Sequence, residues 1–498
     1  MARILDISFC LLFCIVILPE NTTSYRSSSR PNVRSDFPKD FKFGAATSAY
    51  QTEGGWDADG KGPSMWDVAL HNNPSLVLDR SNGDVSGDSY HVFDKDLKII
   101  KELGLDFYRF SISWPRLLPN GDISSLNQAG VKYYNMVIDK LLANNIEPLV
   151  TMLHFDIPDE IQKLGGATNP IFVDYFASYA NLLYKLFGDR VKNWVTINEP
   201  RLFCVYSYGN GILVPNLNTS GVGDYLCGDH MLKAHAKAYK IYQDHYFQQF
   251  RGRVGIVLEA VGTYCRKGGS LSLNDRAMEY YLGWMAHPLL SNKGDYPEVM
   301  RKEIDENSKL EGRAWSRLPK LDQHWIDLMK GTCDFLGLNY YSSQYGVPLN
   351  RTDQFKPPSF EQDVGLQLFA DPSWPAANSW LTSFPKGLRD ILNWIKSQYG
   401  DIDIIITENG WADGGQLKDT ERIEYLTKHL QEVLNAIHID KCNVKGYTYW
   451  SLLDSFEWVS GFSERFGLYS VDIGSPTKER TPKESAIVYK NIIRNRKI

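Results

Sequence analysis

Eight short apolar segments recur along the chain, each too compact for a helix. The first half contains Phe41–Ser48 (FKFGAATS), Phe107–Ser113 (FYRFSIS), Glu147–Leu153 (EPLVTML) and Val191–Asn198 (VKNWVTIN). The second half contains Val254–Glu259 (VGIVLE), Phe335–Asn339 (FLGLN), Ile402–Glu408 (IDIIITE) and Val444–Trp450 (VKGYTYW). Near-continuous apolar runs are what parallel strands covered on both faces require. Between them, apolar residues return with the helical period in Asp94–Glu102, Gly130–Ala143, Phe172–Phe187, Lys386–Lys396 and Thr420–His438. Eight strand–helix units predict an α/β protein, a single (β/α)₈ (TIM) barrel with long βα loops at its C-terminal face. A doubly wound open sheet would want a Gly-rich phosphate turn after an early strand. The segment TEGGWDADG around Gly54-Gly55 lacks the GxGxxG spacing. The stretch from Thr352 to Trp380, rich in Pro, Asp and aromatics, reads as a long loop leaving one domain.

Composition narrows the chemistry more than the fold. With 43 % apolar and 23 % charged residues the chain can bury a large core, which excludes global disorder. The 498 residues exceed the ~250 of a typical barrel, so the surplus belongs in the loops that build an active-site face. A net charge of -5 without a basic block makes nucleic acid an unsuitable partner. Aromatic residues make up 13 % of the chain, a quantity of ring surface that suits a binding cleft as well as a core.

The N-terminus carries Arg3 and then the apolar run Ile7–Leu18. Roughly 12 apolar residues are too few to span a bilayer and fit a signal peptide over residues 1–24, with cleavage between Pro19 and Arg26. A membrane anchor or a disordered arm is the alternative. The expected destination is secreted or extracellular (a gut lumen or lysosome-like compartment included), without stable membrane insertion. Cys10 and Cys14 leave with that segment, and Cys204, Cys227, Cys265, Cys333 and Cys442 remain. Their odd number leaves at least one unpaired within the chain; Cys204 and Cys227 could close one loop. No zinc-ligand spacing occurs. Asn218-Thr219-Ser220 fits the N-glycosylation pattern, as does Asn21 if it survives cleavage. The terminal RNRKI is no ER-retention signal.

In a barrel, chemistry belongs at the C-terminal strand ends. Polar residues gather there: Gln51 and Glu53, Arg109, His154 and Asp156, Asn198 and Glu199, Asn339 and Tyr341, Glu408 and Asn409, then Trp450, Asp454, Glu457 and Trp458. Any one could be a helix cap or a satisfied core group. Together they offer two carboxylates on opposed strands, neutral hydrogen-bonding groups and indole faces, with no metal cluster. Glycosidic bond cleavage needs those parts: one carboxyl protonates the leaving oxygen while another attacks the anomeric carbon or activates water. A phosphate site would want a Gly-rich nest or a basic cluster.

At these residues the chain resembles glycoside hydrolase family 1, the β-glucosidase family, and most of all its secreted insect members. The resemblance runs from about Phe37 to about Ile492, giving a barrel domain over 37–492. It rests on YRFSISWPRLLP from Tyr108, WVTINEP from Trp194, DFLGLNYY from Asp334, IITENG from Ile405, YWSLLDSFEW from Tyr449, RFGLYSVD from Arg465 and RTPKESA from Arg480. It implies Glu199 as general acid/base and Glu408 as nucleophile of a retaining double displacement, with the two carboxyls about 5–5.5 Å apart. Arg109 and Tyr341 resemble the residues that orient the nucleophile. Gln51, His154, Asn198, Trp450, Glu457 and Trp458 resemble the sugar-binding set. No organic cofactor and no metal is implied, and the partner is a small-molecule β-glucoside. Oligomeric state is left open, a homodimer included.

The departures lie toward the aglycone. Phe155 stands where the family has Trp after the His, Ala167 follows Gly165-Gly166 where Trp is common, and Arg201 directly follows INEP. Asp159 and Ser455 also replace the usual residues. Arg201 suggests an anionic, sulfated aglycone. Two readings therefore stand beside the β-glucosidase: a myrosinase acting on glucosinolates, and a catalytically silent carbohydrate-binding or repurposed barrel.

Overall fold

The computed structural model describes residues 35–265, 271–349 and 357–498. The expected leader over residues 1–24, with Cys10, Cys14 and Asn21, lies outside the described residues. Eight parallel strands alternate with helices. They are β1 (Lys42–Ala46), β2 (Phe107–Ser111), β3 (Glu147–Leu153), β4 (Asn193–Asn198), β5 (Arg253–Glu259), β6 (Leu336–Asn339), β7 (Ile404–Asn409) and β8 (Val444–Trp450). They close in sequential order, with β1 paired to both β2 and β8. This is the (β/α)₈ barrel that the hydrophobic pattern predicts.

Alternation along the strands sorts two cores. Phe107, Leu149, Val195, Val257, Phe335 and Ile405 form one buried cluster drawn from strands all round the barrel, which is its interior packing. Neighbours of opposite parity, Tyr108, Val150, Trp194, Ile256 and Ile404, join the large core beneath the helices. Gly44 on β1 is required by this packing: a Cβ there would lie 2.4 Å from the Phe107 ring.

The outer helices are α1 (Ser89–Leu103), α2 (Gln128–Leu142), α3 (Ile171–Phe187), α4 (Gly223–His245), α5 (Gln323–Met329), α6 (Pro385–Tyr399), α7 (Thr420–His438) and α8 (Glu484–Asn495). The spacing does not predict α4, because it buries Asp224, Asp229, His230 and His235 among its apolar residues and so has no clean stripe. A disulfide joins Cys204, just past β4, to Cys227 on α4, and among the described residues Cys333 and Cys442 are free.

The stretch read as a long loop needs a correction. It contains a short helix, Phe360–Val364, capped by the Ser359 hydroxyl and ended by Gly365 at φ 69°. A strand follows, Leu366–Phe369, antiparallel to Ser343–Pro348, which in turn pairs with Gly262–Cys265. Its Pro and Asp content masks these short elements, each too brief for a periodic signal. No helix among the described residues is long and apolar enough to cross a membrane.

Candidate active site

The polar layer at the C-terminal strand ends is built by strand irregularities. Register shifts fall between Ile406 and Glu408 on β7, and between Val195 and Asn198 on β4. Such bulges re-aim side chains. On β7 they let the Thr407 carbonyl and the Glu408 carboxylate meet one guanidinium: Arg109 Nη1 donates to Thr407 O at 3.1 Å and to Glu408 Oε1 at 2.5 Å. Tyr341 donates its hydroxyl to the other oxygen, Oε2, at 2.7 Å. Both oxygens of Glu408 are thereby held, in a place only 4 % exposed. Beyond it, Gly410 passes so close to β8 that a Cβ would sit 1.8 Å from the Trp450 carbonyl.

From Arg109 the network continues to the second carboxyl. Nη2 donates to Asn198 Oδ1 at 2.7 Å, and the Asn339 amide donates to Asn198 Oδ1 at 3.3 Å and to Glu199 Oε1 at 2.6 Å. Asn339 is fixed in turn by the Thr407 hydroxyl, which donates to its Oδ1 at 2.7 Å. Burial first, then the charges of Glu408 and Glu259, push the Glu199 carboxyl well above the ordinary carboxylate range. One carboxylate is thus clamped by a cation and a phenol while its neighbour is inclined to keep its proton. That pairing is able to attack an acetal carbon and protonate its leaving oxygen.

Around this pair sits a wall of rings and amides. Gln51 accepts from the Ser48 hydroxyl at 2.6 Å and donates to the Phe456 carbonyl at 2.9 Å. His154 stacks on Trp450 at 5.7 Å and on Trp458 at 6.0 Å, and its Nε2 lies 3.3 Å from the Asn198 amide. Burial and then Arg109 hold the His154 imidazole well below its usual pKa, so it stays neutral. Glu457 is half-buried and raised, by burial first and then by Glu464 and Glu408; Ser455 donates to it at 3.3 Å. Glu199, Phe155 and Trp458 all have left-handed backbones, with φ of 45°, 72° and 48°. Strain of that kind persists where the surroundings over-determine a site. Glu53 turns away from the pair into an ion pair with Arg116 at 2.8 Å.

The three residues expected on the aglycone side, Phe155, Ala167 and Arg201, are all buried. Phe155 stacks on Phe203 at 5.3 Å and touches Trp458 at 5.1 Å. Ala167 is wholly enclosed, its N–H donating to the Tyr208 hydroxyl at 3.1 Å and its carbonyl accepting from His230 at 2.8 Å. Arg201 is not a free cation: Glu259, the last residue of β5, pairs with its Nη2, and the Tyr281 ring lies 4.7 Å away. The sequence shows Arg201 as a cation after INEP; the fold adds the carboxylate that pairs with it. Glu259 closes β5 much as Glu199 follows β4 and Glu408 sits near the end of β7, so the strand-end rule points to it as well. Thr407 could not be found that way, because its role depends on the bulge. Among the described residues no group of three His, Cys, Asp or Glu side chains is placed to hold a metal.

The Glycosyl hydrolase family 1 model matches residues 33–498. Myrosinase 1 of Brevicoryne brassicae is 45 % identical, over 92 % of this chain and 98 % of its own length. The cytosolic beta-glucosidase of Cavia porcellus is 40 % identical, over 92 % and 98 %. Among solved structures, an aphid myrosinase superposes with a TM-score of 0.88 at 44 % identity, over 93 % of this chain and all of that one. A rice beta-glucosidase variant in a covalent complex with glucose gives 0.86 at 36 %, over 92 % and 98 %. The chain belongs to glycosyl hydrolase family 1.

Proposed function

From that membership we propose that the chain hydrolyses β-glucosides by a retaining double displacement, with Glu408 as nucleophile and Glu199 as acid and then base. One observation carries the reading: Glu408 is gripped through both oxygens by Arg109 and Tyr341, beside a buried Glu199 whose carboxyl is pushed well above the ordinary range by burial and the charges of Glu408 and Glu259. In the first step a Glu408 oxygen bonds to the anomeric carbon as the C–O bond to the aglycone breaks, and the Glu199 proton passes to the leaving oxygen. Glu199, now ionised, takes a proton from water, whose oxygen attacks the anomeric carbon and releases Glu408. Asn198 is suited to bond the sugar's 2-hydroxyl, a contact that strengthens toward the transition state. Gln51 and Glu457 are suited to read the C4 and C6 hydroxyls. Trp450 offers the platform beneath the ring, with His154 and Trp458 beside it.

The similarity to an aphid myrosinase makes glucosinolates the second substrate class to assay. The Arg201–Glu259 pair supports a preference for uncharged aglycones, and the complete Glu199, Glu408, Arg109 and Tyr341 set weighs against a silent barrel. We place a cleaved leader over residues 1–24 ahead of a barrel domain over 37–492. We assign the protein to the secretory route, with a glycan on Asn218, which is exposed. Light scattering of the secreted protein tests for a homodimer. A panel of β-glucosides, β-galactosides, β-fucosides and glucosinolates, assayed side by side with Glu408→Ala as control, tests the function. Turnover of β-glucosides that Glu408→Ala abolishes is expected. Turnover restricted to glucosinolates, or unchanged in Glu408→Ala, overturns the reading.

A further inference from the structure

Two charges sit buried beside Glu199 without a part in the two-step chemistry. Arg201 lies two residues past the acid on the Pro200–Phe203 turn and is 3 % exposed; Glu259 ends the neighbouring strand and is 5 % exposed. They pair with each other, and the guanidinium is sandwiched toward Tyr281 at 4.7 Å and Phe360 at 5.9 Å. Arg201 Nε has no hydrogen-bond partner among the described residues. The strands hold this arrangement together: Glu199 N–H donates to Val257 O at 2.9 Å, and Glu259 is in register with Asn339, whose amide holds Glu199.

Removing one partner of a buried ion pair leaves the other as a bare charge, which is costly and strongly felt nearby. Without Glu259, a lone guanidinium would stand close enough to Glu199 to act on its carboxyl. We propose that Glu259 is a specificity-determining and positioning residue: by cancelling the charge of Arg201 it keeps the aglycone side electrically neutral, so that uncharged leaving groups are preferred to anionic ones and Glu199 stays a proton donor. The inference rests on the assignment of Glu199 as the acid.

Glu199 is faced by Glu408 from β7, Glu259 from β5, Arg109 from β2 and Arg201 from its own turn, with Tyr341 and Tyr206 close enough to interact. Arg201 is faced by Glu259, Tyr206, Tyr281 and Glu199. Glu361 reaches this group through Tyr206 and Tyr281. Glu259 raises the Glu199 carboxyl, after burial and Glu408, so its neutralisation beside a surviving Arg201 makes Glu199 more acidic.

The test uses Glu259→Gln and the double variant Arg201→Met/Glu259→Gln, which buries no lone charge. Each is assayed on a nitrophenyl β-glucoside and on its ring-carboxylated analogue, with full pH profiles. In Glu259→Gln the alkaline limb of kcat/KM moves to lower pH, and the preference for the anionic analogue rises on the order of tenfold, the worth of one hydrogen bond to a charged group. In the double variant both readouts return toward the parent. An unmoved limb and unchanged preference in Glu259→Gln overturn the proposal, as does a double variant that behaves like the single one. Should Glu259→Gln not fold, an unchanged preference in Glu259→Asp and a shifted one in Glu259→Ser serve as its replacement; equal behaviour of those two overturns it. Glu199→Gln separates this failure from the larger one: an alkaline limb that survives in Glu199→Gln refutes the assignment of the acid itself.

Discussion

Glu199→Gln should divide substrates by their leaving group. The side chain keeps its shape, and its amide oxygen still accepts from Asn339, whose donor lies 2.6 Å from Glu199 Oε1 in the parent. What disappears is the proton, held there by burial and by the charges of Glu408 and Glu259. A positioned general acid contributes about 10²–10⁴ in rate, or ~3–5 kcal/mol. An alkyl glucoside, whose leaving alkoxide must be protonated, should lose that whole factor in kcat/KM. A dinitrophenyl glucoside needs no proton to leave, so its kcat/KM should stay within about tenfold of the parent. Its kcat should nevertheless fall, because the same residue is the base of the second step, and KM should fall with it as the glycosyl-enzyme accumulates. Initial rates on the two glucosides measure both. Equal losses on the two substrates, or an alkyl glucoside unaffected, would refute the role of Glu199.

The same variant carries a stability prediction. A raised carboxyl binds its proton more tightly in the folded state, so its contribution is complete below the unfolded value near 4.5 and is lost as pH rises toward the folded one. The melting temperature of Glu199→Gln relative to the parent should therefore climb as pH is raised from about 4.5; a flat difference contradicts the shift. Replacing Cys204 and Cys227 by Ser opens a link between residues 23 apart in sequence and should cost about 3 kcal/mol in urea unfolding. Lys483 is wholly buried, with Nζ donating to Asp454 at 2.8 Å. Lys483→Met removes the nearer of two cations beside Asp454, the other being Arg465 at 3.9 Å, and should destabilise by about 3 kcal/mol in the same assay. A midpoint unchanged from the parent would count against the buried pair.

Much of this molecule is legible in its chain because barrel strands are apolar on both sides. Val444–Trp450 and Thr420–His438 coincide with β8 and α7, since one is a dense apolar run and the other a clean amphipathic period. Helix α4 is hidden by its buried Asp and His side chains, and the strand Leu366–Phe369 by its brevity. The two catalytic candidates stand out because each closes a strand with a carboxylate, although their roles come from the family and not from spacing. Arg201 shows where one-dimensional reading stops. The chain displays a cation after INEP, but its partner arrives from the next strand, and only the fold reveals that Glu259 pairs with it. The RTPKESA motif is a similar case: Lys483 acts by bracing the segment that carries Trp450 and Glu457, through Asp454.

In the proposed double displacement Glu408 becomes covalently glycosylated. Treatment with a slow-releasing 2-deoxy-2-fluoro β-glucoside, followed by proteolysis and mass spectrometry of the peptide containing Ile405–Gly410, tests it directly. One fluoroglucosyl group per chain is expected, on Glu408, with activity lost in proportion and recovered when an acceptor glucoside discharges it. A sugar attached to another residue would contradict it, as would inactivation without any covalent adduct.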